Sequence, residues 1–330
     1  MKGIKKNIFF CITLSILLVI SGCGQRAQKP AEKSDNQQKP MPKTIEEIEN
    51  DAIKVMQLAD LIPYFEKAIE EKEAKEEEKK QESAQQTMAQ GNGQGGGQKG
   101  EQDGKAQEQE GQSSEQEVEK PQPRTLGDVT LTEILIREKT GDQEMQMQKP
   151  PEDITETWKD IHSTVKGIHD KWNVLEPVLI EENVPPEIIS NFENTLDALT
   201  NHSMEDKYFE TLSTANLLTS HLPKFMGYFK KDVPPTVFSL KYLVRSVVLY
   251  AASENYPAAQ ESLNKIKEQS QSVKSELIEK KSKSTADKFD ASVSNLQKSL
   301  ENQNLNLIKI NASIVMKNVG LMRDDLAGSI

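Results

Sequence analysis

From residue 150 to residue 326, apolar side chains recur every three or four positions, the spacing that places them on one face of an α-helix. Proline pairs at 150–151, 185–186 and 234–235 each precede such a segment, as expected from the preference for proline in the first turn of a helix. The pattern predicts helices at 158–179, 188–199, 208–225, 237–252, 256–277, 289–300 and 305–322. Pro223 predicts a kink in the third of these. Short connections and coiled-coil-like seams predict an all-α, antiparallel helical bundle of about six to seven helices over residues 150–330.

The fourth of these segments, 237–252, is apolar nearly all the way round. At roughly 16 residues it is too short to span a bilayer, which needs about 20. It is therefore predicted to be a buried helix at the centre of the bundle.

The segments on either side of this central helix share part of their spacing. Phe192 and Phe289 begin the same apolar pattern at an offset of 97 residues, and Leu212 and Leu307 begin another at an offset of 95. This similarity suggests two pseudo-repeated three-helix units bridged by the helix at 237–252, although any two amphipathic helices share such a spacing.

The chain before residue 150 divides into segments of distinct composition. A Thr44-x-x-Glu47 capping box opens a charged helix predicted over 44–82, in which eight acidic residues and five lysines lie between 66 and 82. Residues 83–125 are a low-complexity linker, rich in Gln, Gly, Glu and Ser and predicted to be disordered, either as a spacer or as a neutral insertion. Residues 126–149 contain a short apolar island that we expect to dock on the bundle, and the proline-containing stretch 23–43 is predicted to be a flexible tether.

The N-terminus combines three lysines, an apolar run of roughly 13 residues and small residues before a cysteine. The sequence Ile20-Ser21-Gly22-Cys23 resembles the lipobox of bacterial lipoproteins. The resemblance implies a signal peptide at 1–22 and a mature chain that begins at Cys23. It also implies attachment to the membrane through diacylglycerol on Cys23 and acylation with a fatty acid such as palmitate.

Charge and cysteine content restrict the function further. Removal of residues 1–22 changes the formal net charge from -11 to -14, because that segment carries three lysines and no acidic residue. An acidic chain of this kind disfavours nucleic acid as a partner. The only other cysteine, Cys11, lies in the signal, so the mature chain has no pair for a disulfide and no free thiol for catalysis.

Four side chains of the first bundle helix are candidates for a site. His162 and His169 lie seven residues apart on one helical face, a position from which a bundle can hold a metal ion or haem. Gly167 and His169 partly resemble the Gly-x-His-x-x-Glu motif of imelysin-like helical lipoproteins of iron uptake, although Trp172 stands where that motif has glutamate. Trp158 and Trp172 share a face and form either a ligand platform or, more simply, core packing.

Residues 253–263 resemble the second helix of a tetratricopeptide repeat, which favours a peptide-binding module, but the pattern occurs once. Catalytic signatures such as Gly-x-Ser-x-Gly, His-Glu-x-x-His and a phosphate-binding glycine loop are absent from the sequence. We therefore expect a membrane-anchored extracytoplasmic lipoprotein that is not an enzyme and that binds or scaffolds an unidentified protein partner, without a cofactor. The alternatives are a metal- or haem-binding helical lipoprotein and a tetratricopeptide-like module.

Overall fold

The computed structural model describes residues 38–90, 129–140 and 149–328. For residues 82–90 and 139–140 it describes the backbone alone. In these residues the chain forms ten α-helices and no strand. Their bounds are α1 Lys43–Gln90, α2 Thr132–Thr140, α3 Ile154–Glu181, α4 Pro186–Met204, α5 Tyr208–Thr219, α6 Leu222–Met226, α7 Pro235–Ala252, α8 Tyr256–Glu279, α9 Lys283–Glu301 and α10 Leu305–Ala327. The predicted helical bundle is confirmed.

The long helices form two rings of four. In the first ring α1 packs on α3, α3 on α4, α4 on α5, and α5 returns to α1. In the second ring α7 packs on α8, α8 on α9, α9 on α10, and α10 returns to α7. Short helices connect the rings, since α2 contacts both α1 and α10 while α6 contacts both α5 and α7. Contacts between the first and last helix close each ring, which distinguishes this arrangement from an open stack of helical repeats.

Five of the connections between consecutive helices are turns of one type. After α7, the N–H of Asn255 donates to the carbonyl oxygen of Tyr250 at 2.8 Å, and the N–H of Glu254 donates to that of Ala251 at 3.1 Å. These two bonds define a Schellman motif, which satisfies carbonyls that the helix end leaves unpaired. Five such turns contain a non-glycine residue with positive φ: Asn183, Asp206, Glu254, Lys281 and Gln303.

Two helices differ from the sequence-based prediction. The segment predicted as one kinked helix at 208–225 is two helices, α5 and α6, which separate at Ser220 and His221. Pro223 lies in the first turn of α6, where its missing N–H costs nothing. Pro63, by contrast, lies inside α1 and does not end it. Helix α1 continues to Gln90, so its last turns include the first residues of the segment predicted as a linker, 83–125.

The core extends beyond the predicted bundle segment. The first half of α1 contributes fully buried side chains such as Ile45, Ile48 and Ile62. Leu131, just before α2, and Ile134 within it are also fully buried. Helix α7 is buried on most of its surface, as its apolar composition predicts. The signal peptide at 1–22, Cys23, most of the tether and residues 91–125 of the linker lie outside the described residues, and the pseudo-repeat stays a prediction.

A single carboxylate fixes the N-terminus of α2 on α1. Asp60 Oδ1 accepts from the N–H of Thr130 at 2.8 Å, and Asp60 Oδ2 accepts from the N–H groups of Leu131 and Thr132 at 2.9 and 2.7 Å. The hydroxyl of Thr132 also donates to Oδ2 at 2.7 Å. Because the first N–H groups of a helix have no partner within it, this side chain from a distant segment acts as the cap of α2.

Candidate binding cavity

A cavity of about 720 Å³ lies where α1, α2, α7 and α10 meet, beside residues 231–233. This volume is within the range of sites for small molecules. Its acidic lining residues are Glu46, Glu49, Glu138, Asp232 and Asp324, and its basic ones are Lys231, Lys241 and Arg323. The cavity is therefore polar, and its lining carries a formal charge of -2.

Arg245 of α7 lies below the cavity and is fully buried. Its Nη1 donates to Glu138 Oε2 of α2 at 2.5 Å, its Nε to Asn216 Oδ1 of α5 at 2.7 Å, and its Nη2 to Thr219 Oγ1 at 2.9 Å. A buried guanidinium needs such partners because desolvation of an unpaired charge is costly. Arg245 lies on α7 of the second ring and bonds both α2 and, in the first ring, α5, so it connects the two rings of helices.

Lys241, one turn before Arg245, extends the cluster toward the cavity. Its Nζ lies 3.5 Å from Glu138 Oε1 and 3.7 Å from Glu49 Oε1, at ion-pair distance from two carboxylates. The ammonium also lies 5.2 Å from the centroid of the Phe238 ring, within the range of a cation–π contact. The cluster therefore already provides an environment for an ammonium group, with carboxylates and an aromatic face.

The two carboxylates of the cluster titrate differently. Burial raises the pKa of Glu49 above its ordinary value, and the attraction of Lys241 offsets only part of that effect. Burial also opposes ionisation of Glu138, but the positive charges of Arg245 and Lys241 outweigh it and hold the pKa of Glu138 below its ordinary value. The pKa values of the two carboxyl groups are therefore shifted in opposite directions, down for Glu138 and up for Glu49.

Two polar atoms in the cavity lining have no hydrogen-bond partner. They are Glu138 Oε1, an acceptor whose side chain is only 2 % exposed, and Gln57 Nε2, a donor. Buried polar atoms of a folded protein are nearly always paired with protein or water. Glu138 Oε1 is nevertheless at ion-pair distance from Lys241 Nζ, so Gln57 Nε2 is the atom whose hydrogen bonding a bound molecule can complete.

Sequence reasoning missed this cluster, although one signal was present. Lys241 and Arg245 are the only charged residues in the otherwise apolar helix α7, and they are four residues apart. Charged residues on a helix predicted to be buried require partners of opposite charge. The sequence does not say which carboxylates those are, because Glu49 and Glu138 come from separate segments.

The predicted metal-ligand candidates connect α3 to α4. His162 Nε2 lies 2.8 Å from the carbonyl oxygen of Ser203, and His169 Nε2 lies 2.8 Å from Thr200 Oγ1. In the part of the chain that the structure describes, no group of three or more His, Cys, Asp or Glu side chains is arranged to hold a metal ion. Each histidine thus makes a hydrogen-bond contact between α3 and α4.

Trp158 and Trp172 are 7 % and 6 % exposed and belong to the core. The Trp172 ring stacks on Phe192 with 4.3 Å between centroids, and its Nε1 donates to Glu193 Oε1 at 3.4 Å. Both indole side chains therefore pack among the helices of the first ring.

A third histidine, His221 between α5 and α6, predicts a pH dependence of stability. Its Nε2 lies 2.9 Å from Thr195 Oγ1, and burial lowers its pKa from 6.5 to about 4. Between these values the unfolded chain binds a proton that the folded chain does not, so stability falls as pH falls. We expect His221→Leu to flatten the fall in melting temperature between pH 6.5 and pH 4, with His202→Leu as the matched control. Parallel curves for wild type and His221→Leu would contradict this account.

No family model matches the chain, and no curated protein or solved structure is significantly similar to it. In residues 38–90, 129–140 and 149–328, each helix is too short or too polar to cross a bilayer.

Proposed function

We propose that the chain is a lipid-anchored extracytoplasmic protein and that its helical body is a non-catalytic binding module. The polar cavity, in which the donor Gln57 Nε2 has no hydrogen-bond partner, is the observation that carries the binding role. The signal-like residues 1–22 and the lipobox-like sequence that ends at Cys23 support the anchor.

The chemistry of the cavity favours binding over catalysis. Among the described residues that line it there is no Ser, Thr or Cys nucleophile and no His, the commonest general base. The deepest carboxylate, Glu138, is held by Arg245 at 2.5 Å. A fixed, paired carboxylate suits recognition better than proton transfer.

The described chain begins beside this cavity. The N–H of Lys230 donates to the carbonyl oxygen of Lys39 at 2.8 Å, and Lys39 Nζ lies 2.8 Å from Glu181 Oε1. Met41, two residues later, lines the cavity. Residue 39 is 16 positions from Cys23, so even an extended chain places Lys39 within roughly 55 Å of the lipid. The proposed module thus works close to the membrane surface.

The two cysteines provide a test of the anchor. In cells fed an alkyne analogue of palmitate, we expect the wild-type chain to be labelled and to partition into the detergent phase of Triton X-114. Cys23→Ser should be unlabelled and aqueous, since it lacks the acylated thiol. Cys11→Ser is the matched control and should behave as wild type, because that residue lies in the removed signal. Labelling that persists in Cys23→Ser, or that is absent from wild type, would refute the anchor.

A further inference from the structure

We infer that the groove between α1, α7 and α10, in which α2 lies, is a docking site for an amphipathic helix of a partner protein. Helix α2 is the occupant that the chain itself provides, and the partner helix displaces it. This inference goes beyond the small-molecule role proposed for the cavity and does not depend on it.

Helix α2 is held in the way that a groove holds a helical peptide. Leu131, directly before its first turn, and Ile134 and Leu135 within it are fully buried. The side chain of Glu138 is 2 % exposed. These four residues have the spacing i, i+3, i+4 and i+7, the anchor pattern of amphipathic helices that bind in grooves.

The groove provides a partner for each end of α2. At the N-terminus, Asp60 of α1 accepts three backbone N–H groups, and Lys309 Nζ of α10 donates to the carbonyl oxygen of Val129. Near the C-terminus, Arg245 of α7 donates to Glu138 at 2.5 Å. Groups from three other helices thus recognise the start of a helix and a carboxylate about two turns further on.

The last helix of the first ring shows a similar surface with a different occupant. Beyond their own rings, α5 packs mainly on α7, whereas α10 packs mainly on α2. Asn216 and Thr219 of α5 both bond to α7. Ser313 and Met316 of α10 lie at the same distances from the start of their helix and are also buried. Helix α2 therefore takes beside α10 the place that another helix of the body takes beside α5.

A ring of four helices does not require α2. In the second ring, residues 253–255 alone join the first two helices, α7 and α8. In the first ring, the corresponding connection contains α2. A helix of nine residues is marginal on its own, so α2 depends on the groove. Residues 141–148, which follow it, reach roughly 26 Å when extended, enough for α2 to leave while α3 stays in place.

The groove defines the chemistry of the partner. Its helix carries three aliphatic side chains at the spacing of Leu131, Ile134 and Leu135, because these positions complete the core. It also carries a carboxylate at the position of Glu138, because the fully buried Arg245 would otherwise lose its ionic partner.

A fluorescein-labelled peptide of residues 127–141, acetylated and amidated, tests the groove. It is added to the full chain with Ile134→Asp, a change that loosens the attached α2 but keeps Asp60, Arg245 and Lys309 in the groove. Fluorescence anisotropy should show saturable binding. We expect a Kd at least about tenfold lower than for the wild-type chain, in which the attached α2 competes at high effective concentration.

Matched peptides show whether the anchors are responsible. Leu135→Asp places a charge against the core, and Glu138→Gln deprives Arg245 of its carboxylate, so each should raise Kd by about tenfold or more. The control is Glu133→Gln. Glu133 lies on the opposite side of α2 and is partly exposed, so its Kd should change by less than about twofold.

Hydrogen exchange of the wild-type chain gives a second measurement, which does not require Ile134→Asp to fold. The chain is ¹⁵N-labelled so that its fragments differ in mass from the peptide. Unlabelled peptide at about 1 mM should speed exchange within residues 132–140 of the chain, because it replaces α2 in the groove.

Three results would each overturn the inference. They are a folded Ile134→Asp chain that does not bind the peptide saturably, equal affinity for the Glu138→Gln peptide, and unchanged exchange in the wild-type chain. The proposed role of the cavity would survive all three, since it fails only when the chain retains no small molecule.

Discussion

Arg245→Met is expected to lower the free energy of unfolding by about 3–5 kcal/mol, the usual cost of removing one partner of a buried ion pair. The substitution leaves the carboxylate of Glu138, 2 % exposed, with only the more distant Lys241. It also leaves Asn216 Oδ1 and Thr219 Oγ1 without their donor. Urea denaturation followed by circular dichroism at 222 nm measures the loss.

Two further variants make this prediction specific. Glu138→Leu combined with Arg245→Met removes both charges and should recover much of the lost stability, because no buried charge stays unpaired. Arg323→Met breaks an exposed pair with Asp324 and should change stability by less than about 1 kcal/mol. A cost below about 1 kcal/mol for Arg245→Met itself would show that the cluster does not hold the two rings together.

Asp60→Ala is expected to cost about 3 kcal/mol, because each unsatisfied buried donor costs about 1–3 kcal/mol and relaxation recovers part of it. The variant removes the acceptor of three backbone N–H groups and one hydroxyl at the N-terminus of α2. Urea denaturation gives the magnitude, and limited proteolysis within 129–140 should become faster because α2 loses its cap.

The control for this variant is Asp153→Ala, which removes an ordinary cap from α3. Asp153 Oδ1 accepts one bond, from the N–H of Thr155 at 2.9 Å, and the site is exposed. Loss of such a cap costs about 1 kcal/mol. Equal losses for Asp60→Ala and Asp153→Ala would contradict the assignment of Asp60 as the residue that fixes α2.

The helices could be predicted from sequence because the burial of one face repeats locally. In α3, for example, Trp158, Ile161, Val165 and Ile168 follow the helical period, and all are buried. The two-part nature of the 208–225 segment was harder to predict, because a proline in the first turn of a new helix resembles a proline that kinks an old one.

The candidate site could not be predicted in the same way. Periodicity shows which side of a helix faces the core, but it does not show which distant segment supplies the partner. Glu138 and Arg245 are 107 residues apart in sequence, and Asp60 is about 70 residues from the helix that it caps. Only the packing of α2 between α1 and α10 brings these groups together.

The grouping of helices also needed the structure. Sequence similarity suggested two three-helix units bridged by α7, and that repeat stays a prediction. Each observed ring has four members, with α1 in the first and α7 in the second. The contribution of α1 is not visible in the spacing of Phe192 and Phe289, since the long segment 91–128 separates α1 from the later helices.

Native mass spectrometry of the chain, purified in mild detergent from membranes of its own host, tests the anchor and the binding role together. We expect a lipid-modified protein that carries one small organic molecule non-covalently, and Gln57→Leu should lower the occupied fraction. A spectrum that contains only the unliganded mass under gentle ionisation, or equal occupancy in Gln57→Leu, would contradict a binding function at this cavity.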